Sequence, residues 1–324
     1  LKITNGTKEN AEVKEITKPT YGMKAVEYIK QQYEYDGDGL KIDNTSDQNI
    51  RYYGSNPNNY VKFNNELWRI IGVFGNNVKL VRSESLGNLS WDSSDESING
   101  GAGINQWGES TDADGNEYAG ADLQVYLNKM YYGGTSVTCY NGENNKTTTC
   151  PTNTLDNTAK SIIDNHTWNT GAIEWSKRTN TLAFYKDERG NETGKICNGG
   201  DYCNDIVERR TEWPGYIGLP YATDYAYASG ESICETNMVK QDSNNVYICK
   251  NDNWMFKNTL YWTISPDAYS GNSRDVWCVL SDGRVHNYLA VYGGAVFPAI
   301  YLKSNILIES GKGTSSNPYI LKAG

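Results

Sequence analysis

Along this chain apolar residues recur at helical spacing in few places and at strand spacing in many. Val26, Ile29 and Tyr33 fall three or four apart within residues 22–33, which predicts a helix, and Asp36-Gly37-Asp38-Gly39 stops it. Residues 60–63 predict a strand that runs to a turn at Asn64-Asn65. An apolar strand follows over 67–74; Gly75-Asn76-Asn77 turns it, and 78–82 returns with alternation, a hairpin pattern. Residues 122–128 predict a short amphipathic helix capped by Asp122. Residues 157–168 carry Ala159, Ile162 and Ile163 at helical spacing. Late strands are expected over 260–264, 276–280, 284–291 and 299–308. Polar, loop-rich stretches cover 93–117, 133–155 and 177–212. Residues 1–20, rich in Lys, Glu, Thr and Asn, read as a stalk or linker, 21–50 as an N-terminal helix and connection, and 51–324 as the main domain. Short helices among many strands, with no βαβ rhythm, predict an α+β domain.

Composition narrows the function classes. Tyr 25 and Trp 9 against Phe 5, with Gly 32, favour a β-rich, loop-rich surface protein over a helical enzyme. A net charge of −9, with no basic patch evident to release phosphate counterions, argues against nucleic acid as a partner. Six of the seven cysteines form close pairs in sequence, Cys139 with Cys150, Cys197 with Cys203 and Cys234 with Cys249. Local disulfides in an oxidising compartment are the economical reading, and buried free thiols the alternative. Cys278 is left over. There is no CxxC pattern and only two histidines, so no zinc site is expected. The turn at Asp112-Ala113-Asp114-Gly115 resembles half of a calcium loop. However, Gly115 comes two positions early and the twelfth position is Leu123, so no metal is expected there. His166, at the expected helix end, reads as a packing or capping residue. No G-x-S-x-G positions a nucleophile. We expect no enzyme, no cofactor, and no cluster of perturbed titratable groups in a deep pocket.

The segment from Asp267 to Phe297 carries the most information. It contains no Lys, Glu, Gln or Met, where overall composition calls for roughly five. One reading is a recognition surface on a rigid scaffold; the other is a Gly/Ser/Asn-rich hairpin with no use for long side chains. A three-residue turn at Ser281-Asp282-Gly283 places Cys278, Leu280, His286 and Tyr288 on one face, whereas a two-residue turn at Asp282-Gly283 would set Leu280 opposite Val285 and spoil the division. Trp277, Val279, Val285 and Asn287 then share the other. The expected ligand surface is the first face with Asp282, Arg284 and the flanking Tyr269, Asn272, Arg274, Asp275 and Tyr292.

Several strings carry a resemblance: ELWRIIGVF, LVRSESLG, DLQVYLN, GYIGLPYATDYAYASG, YWTISP, VWCVLSDGRV and FPAIYLKSNILIESGKGTSSNPYIL. Over about residues 50–324 the chain resembles extracellular proteins of gut-type Gram-positive bacteria. Those proteins join a pilin-like N-terminus to a C-type-lectin-like domain. The resemblance implies two short helices packed on a twisted antiparallel sheet, with a loop-rich, disulfide-stapled lobe. It implies a cell-surface adhesin or pilin-like subunit, anchored through a segment outside this chain, with no membrane contact by this fragment. The partner would be a protein or glycan on a cell or phage surface, or other pilus subunits. Some such domains are rewritten by diversity-generating retroelements, which yield residues of NNY codons. The composition of 267–297 fits that set, with Trp277 as the exception. The chain departs from the family pattern at Ala295-Val296-Phe297-Pro298, where Gly-Val-Arg-Pro is usual, and it lacks Glu-Pro-Asn and Trp-Asn-Asp calcium triplets. A formylglycine-generating enzyme shares the fold class but uses a cysteine pair, and Cys278 has no sequence neighbour to supply one. A purely structural pilus subunit is the other alternative.

Overall fold

The computed structural model describes residues 16–37, 39–93, 105–111, 115, 117–190, 211–268 and 274–324, together with the backbone of 2–3 and 13–14. Within the expected stalk, Lys2–Ile3 pairs antiparallel with Val13–Lys14. The architecture is mixed α+β, mostly sheet with few helices.

The helix predicted near the start spans Ala25–Tyr35 and buries Ala25, Val26, Tyr28 and Ile29, a stripe one helical face wide. Its first turn is tied to the far end of the chain, Ala25 N donating to Ile306 O at 2.7 Å. Gly37, at φ 65°, follows its end. The helix shares one hydrophobic core with Trp68, Leu80 and Ile308, far along the chain. Strand Ile50–Tyr52, which contains the expected 50/51 boundary, pairs with Leu40–Ile42 on one side and with Glu66–Phe74 on the other.

The larger sheet has nine strands among the described residues. At its centre Glu66–Phe74 pairs antiparallel with Tyr60–Phe63 and with Asn77–Arg82. Asn64 and Asn65 both take positive φ, as a tight two-residue turn requires. Ala299–Tyr301 adds beside Asn77–Arg82, and Tyr319–Lys322 lies parallel to Tyr60–Phe63. A second sheet has, among the described residues, five strands in the order Val285–Leu289, Asp275–Val279, Tyr261–Pro266, Gly293–Ala295, Asn88–Ser90. Side chains alternate along its inner strands between two cores. Val276 and Cys278 enter the core around Trp91, Trp262 and Ile264. Trp277 and Val279 enter a second core with Phe184, Tyr225, Ala226 and Met255. Both faces are covered, which is why the strand reads VWCV without polar interruption.

Three expected elements differ. The helix over 157–168 ends at Ile162, and His166–Asn169 is a strand paired with Glu212–Gly215. The helix starts well, Asp156 Oδ1 accepting from Ala159 N at 2.7 Å, but Ile163 turns extended and bridges Leu302. Asp122 does not cap its helix. It lies in the first turn and accepts from Ser93 N at 2.8 Å, and that helix continues as a π-helix over Tyr126–Tyr132. The expected strand over 299–308 is two strands, Ala299–Tyr301 and Leu307–Ser310, because the chain turns between them. The aromatic run after Pro220 forms helix Ala222–Tyr227 with every residue buried.

Among the described residues two disulfides are present, Cys139–Cys150 and Cys234–Cys249, each closing a local loop, and Cys278 is a free, buried thiol. The Cys197–Cys203 pairing and the turn at 112–114 lie outside the described residues. Among the described residues no helix is long and apolar enough to cross a membrane.

Candidate functional site

The late hairpin builds the site. Leu280 N donates to Arg284 O at 2.8 Å and Gly283 N to Leu280 O at 2.9 Å, which closes the three-residue turn. The register pairs Cys278 with His286, Trp277 with Asn287 and Val276 with Tyr288, so the two expected sets of side chains do lie on opposite faces. Asp275–Val279 is an inner strand, however, and the face carrying Cys278 is covered by Trp262 and Ile264. Cys278 is therefore removed from the ligand surface. Its Sγ lies 3.2 Å from His286 O, and burial pushes the thiol far above its usual range. Leu280 is half-buried against the same core.

Exposure survives at Tyr288 in the outer strand Val285–Leu289 and at the two hairpin ends. Tyr288 is 40% exposed, its ring centroid 5.3 Å from that of Tyr292. Arg274 is exposed and closes the pairing through its carbonyl, which accepts from Ala290 N at 2.9 Å. Asp275 is half-buried and burial raises its carboxyl. The Asn287 amide donates to Asp275 Oδ2 at 3.2 Å and to Asp267 Oδ2 at 2.5 Å, so these two carboxylates are held on the opposite face from Tyr288. His286 is half-buried, set edge-on to Trp175 at 4.7 Å, and burial lowers its imidazole. Tyr269 and Asn272 lie outside the described residues.

Both disulfide loops meet this hairpin, one at each end. At the open end, Gly142 N donates to Val291 O at 2.9 Å and the Tyr292 hydroxyl donates to Glu143 Oε1. Gly293 packs so closely on Asn141 that a Cβ there would lie 2.0 Å from Oδ1. At the turn end, Tyr225 OH donates to Gly283 O at 3.0 Å, and the Arg284 guanidinium lies 5.6 Å from the Tyr247 ring. Asp282 is exposed and accepts from Arg284 N at 3.0 Å, with 3.8 Å between Arg284 Nη2 and Asp282 Oδ2. Sequence reading missed Glu143, Asn141, Tyr247 and Trp175. The only signal was the cysteine spacing, which marks the two loops as ordered excursions without saying what they touch.

A cluster of perturbed titratable groups also exists, in the core between the larger sheet and helix Ala222–Tyr227. Arg51 Nε donates to Asp43 Oδ2 at 2.8 Å and Nη1 to Asp224 Oδ1 at 2.5 Å; Lys79 Nζ donates to Asp224 Oδ2 at 2.6 Å. Burial opposes charge on Asp224, but Lys79 and Arg51 win and hold its carboxyl below the usual range. Burial pushes Lys79 down to about 8, against the pull of Asp224. Glu188 accepts from Thr223 N at 3.1 Å, and burial raises it to about 7. These charges dock the helix onto the sheet. His166 lies elsewhere, its ring stacked on Tyr301 at 3.7 Å and Nδ1 3.3 Å from Asp164 Oδ2. Tryptophans 68, 91, 168, 213, 254 and 262 are all buried, and Trp91 Nε1, for one, donates to Thr263 O at 3.0 Å.

No protein family, curated protein or solved structure matches this chain.

Proposed function

We propose that this chain is an extracellular binding domain, C-type-lectin-like in fold, that recognises its partner through the outer strand of the late hairpin and the two stapled loops beside it. The observation that carries the reading is the bracketing: an edge strand carrying the exposed Tyr288, tied at its open end to the Cys139–Cys150 loop and flanked at its turn by Tyr247 of the Cys234–Cys249 loop. Tyr288 and Tyr292 supply contact area at low entropy cost, and Arg274, Asp282 and Arg284 supply directional polar contacts, the division of labour seen in paratopes. Each disulfide adds roughly 3 kcal/mol by restricting the unfolded chain, which lets the loops carry replaceable residues. The segment's lack of Lys, Glu, Gln and Met accords with a surface renewed by codon rewriting.

The test is a binding screen of the oxidised domain against glycan arrays and intact cell and phage surfaces. The double variant Tyr288→Ala/Arg274→Ala is expected to lose the binding that wild type shows, with Tm shifted by no more than about 2 °C. A double variant that unfolds, or that binds as wild type does, places recognition elsewhere.

A further inference from the structure

Away from that surface two cations have no carboxylate within ion-pair distance among the described residues. Arg69, midway along strand Glu66–Phe74, is 5% exposed. Its guanidinium carbon lies 4.2 Å from the Tyr60 ring centroid and 4.5 Å from that of Trp254. Nε donates to Asn59 Oδ1 at 2.8 Å and Nη2 to Pro57 O at 3.3 Å, which leaves Nη1 without a hydrogen bond among the described residues. Lys257 follows Trp254 by three positions. It is half-buried, its Nζ donates to Ser83 O at 3.3 Å, and it lies 5.4 Å from the Phe297 ring.

Arginines in similar settings are treated differently by this fold. Arg51 pairs with Asp43 and Asp224, Arg82 with Glu66, and Arg189 with Glu188 and Asp47. Lys79, the fully buried lysine, pairs with Asp224. Burial, then the neighbouring Arg69 charge, pushes Lys257 down to about 8; Glu84 opposes this but is exposed and bonds neither cation through its side chain. Geometry sets them side by side: Ser83, whose carbonyl accepts from Lys257, donates its own N to Leu67 O at 3.1 Å, two positions before Arg69, and Trp254 under Arg69 precedes Lys257 by three. Two like charges so placed, both largely buried, destabilise the fold unless an opposite charge joins them. Aromatic contact offsets part of that cost for Arg69 and does nothing for the repulsion.

We propose that Arg69 and Lys257 form a binding site for a compact oxyanion, the carboxylate, sulfate or phosphate group of a ligand. The rings of Tyr60 and Trp254 fix the guanidinium plane. Nη1 of Arg69 and the two unused protons on Lys257 Nζ are the donors. Oxyanion binding stabilises protonated Lys257, so affinity falls as pH rises through the lysine's titration.

The experiment titrates sodium phosphate, sulfate and acetate into the isotope-labelled protein, with chloride added to hold ionic strength constant. The backbone amides of Ser83 and Lys257 and the Lys257 side chain are followed by NMR. The expected result is saturable shifts with at least one oxyanion, and a Lys257 titration midpoint that rises when that ion is bound. Lys257→Gln, a half-buried position that tolerates the change, is expected to weaken that ion's binding at least tenfold without changing the fold. Arg69→Lys, which keeps charge but loses the planar fork, is expected to weaken it as well. The Tyr288→Ala/Arg274→Ala variant is expected to bind the ion as wild type does. Linear, non-saturating shifts with all three oxyanions, or saturable shifts retained in Lys257→Gln, overturn the proposal.

Discussion

Glu188 is the residue whose chemistry is most exposed to solution conditions, although the residue itself is sealed from water. Burial raises its carboxyl from the usual 4.5 to about 7, with Arg189 and Thr223 pulling the other way. Between those values the folded protein holds a proton that the unfolded chain has released. Stability from this group therefore falls as pH rises from about 4.5 to about 7, and is level above. Asp43 and Asp224 act with the opposite sign. Their folded values are lowered despite burial, by Arg51 and by Lys79 with Arg51 respectively. Their contribution is full above the ordinary value of 3.8 and is lost as pH falls through the lowered one. Glu188→Gln removes the first effect and leaves the second. Urea unfolding at pH 5 and pH 7.5 is expected to show the variant gaining on wild type at the higher pH. An equal difference at both values would place the Glu188 proton elsewhere.

At the scale of elements, the hairpin turn is where local geometry and long-range packing meet. Gly283 sits at φ 86°, and a Cβ there would lie 2.5 Å from Lys250 Cβ and 3.0 Å from the Tyr225 hydroxyl. Gly75, in the early hairpin, also has positive φ, at 59°, but opens onto empty space. Gly75→Ala thus meets backbone strain alone, and Gly283→Ala meets strain plus collision with the Cys234–Cys249 side of the molecule. The first is expected to cost about 1 kcal/mol and the second clearly more, from urea midpoints at constant m. Gly283→Ala is further expected to loosen the turn end of the recognition surface, seen as faster amide exchange at Leu280 and Gly283 than in Gly75→Ala.

For the whole molecule, the five-stranded sheet is a wall shared by two cores. Trp277 packs edge-to-face with Phe184 at 4.9 Å and stacks with Trp175 at 5.7 Å, while its neighbours Val276 and Cys278 project into the other core. Neither core can lose the strand without the other losing it too. The described domain is expected to unfold in one transition, with near-ultraviolet and far-ultraviolet circular dichroism melting together. Trp277→Ala is expected to cost about 3–5 kcal/mol and to shift both signals equally. Separate transitions in that variant would mean that the cores are independent.

Local features were legible in the chain itself. The turn at Asn64-Asn65, the alternation on either side of Gly75, the Cys139–Cys150 and Cys234–Cys249 spacings and the three-residue turn at 281–283 each depend on residues no more than 15 positions apart, where backbone preference and loop closure decide the outcome. The α+β class followed from the same local signals. A strand's period of two also told which late side chains share a face. It did not tell that Cys278 is buried, because whether a face is covered depends on what arrives from elsewhere, here Trp91 and Trp262 with their own indole bonds. The helix over 157–168 failed for the same reason: Ile163 and His166–Asn169 found partners at Leu302 and Glu212–Gly215 that outweigh weak helical periodicity. The salt bridges from Arg51 and Lys79 to Asp224, and the contacts of Glu143 and Tyr247 with the hairpin, join segments far apart in the chain. Pairing of that kind leaves no periodic trace in sequence, because a charge reads as surface until the fold brings its counter-charge into the core.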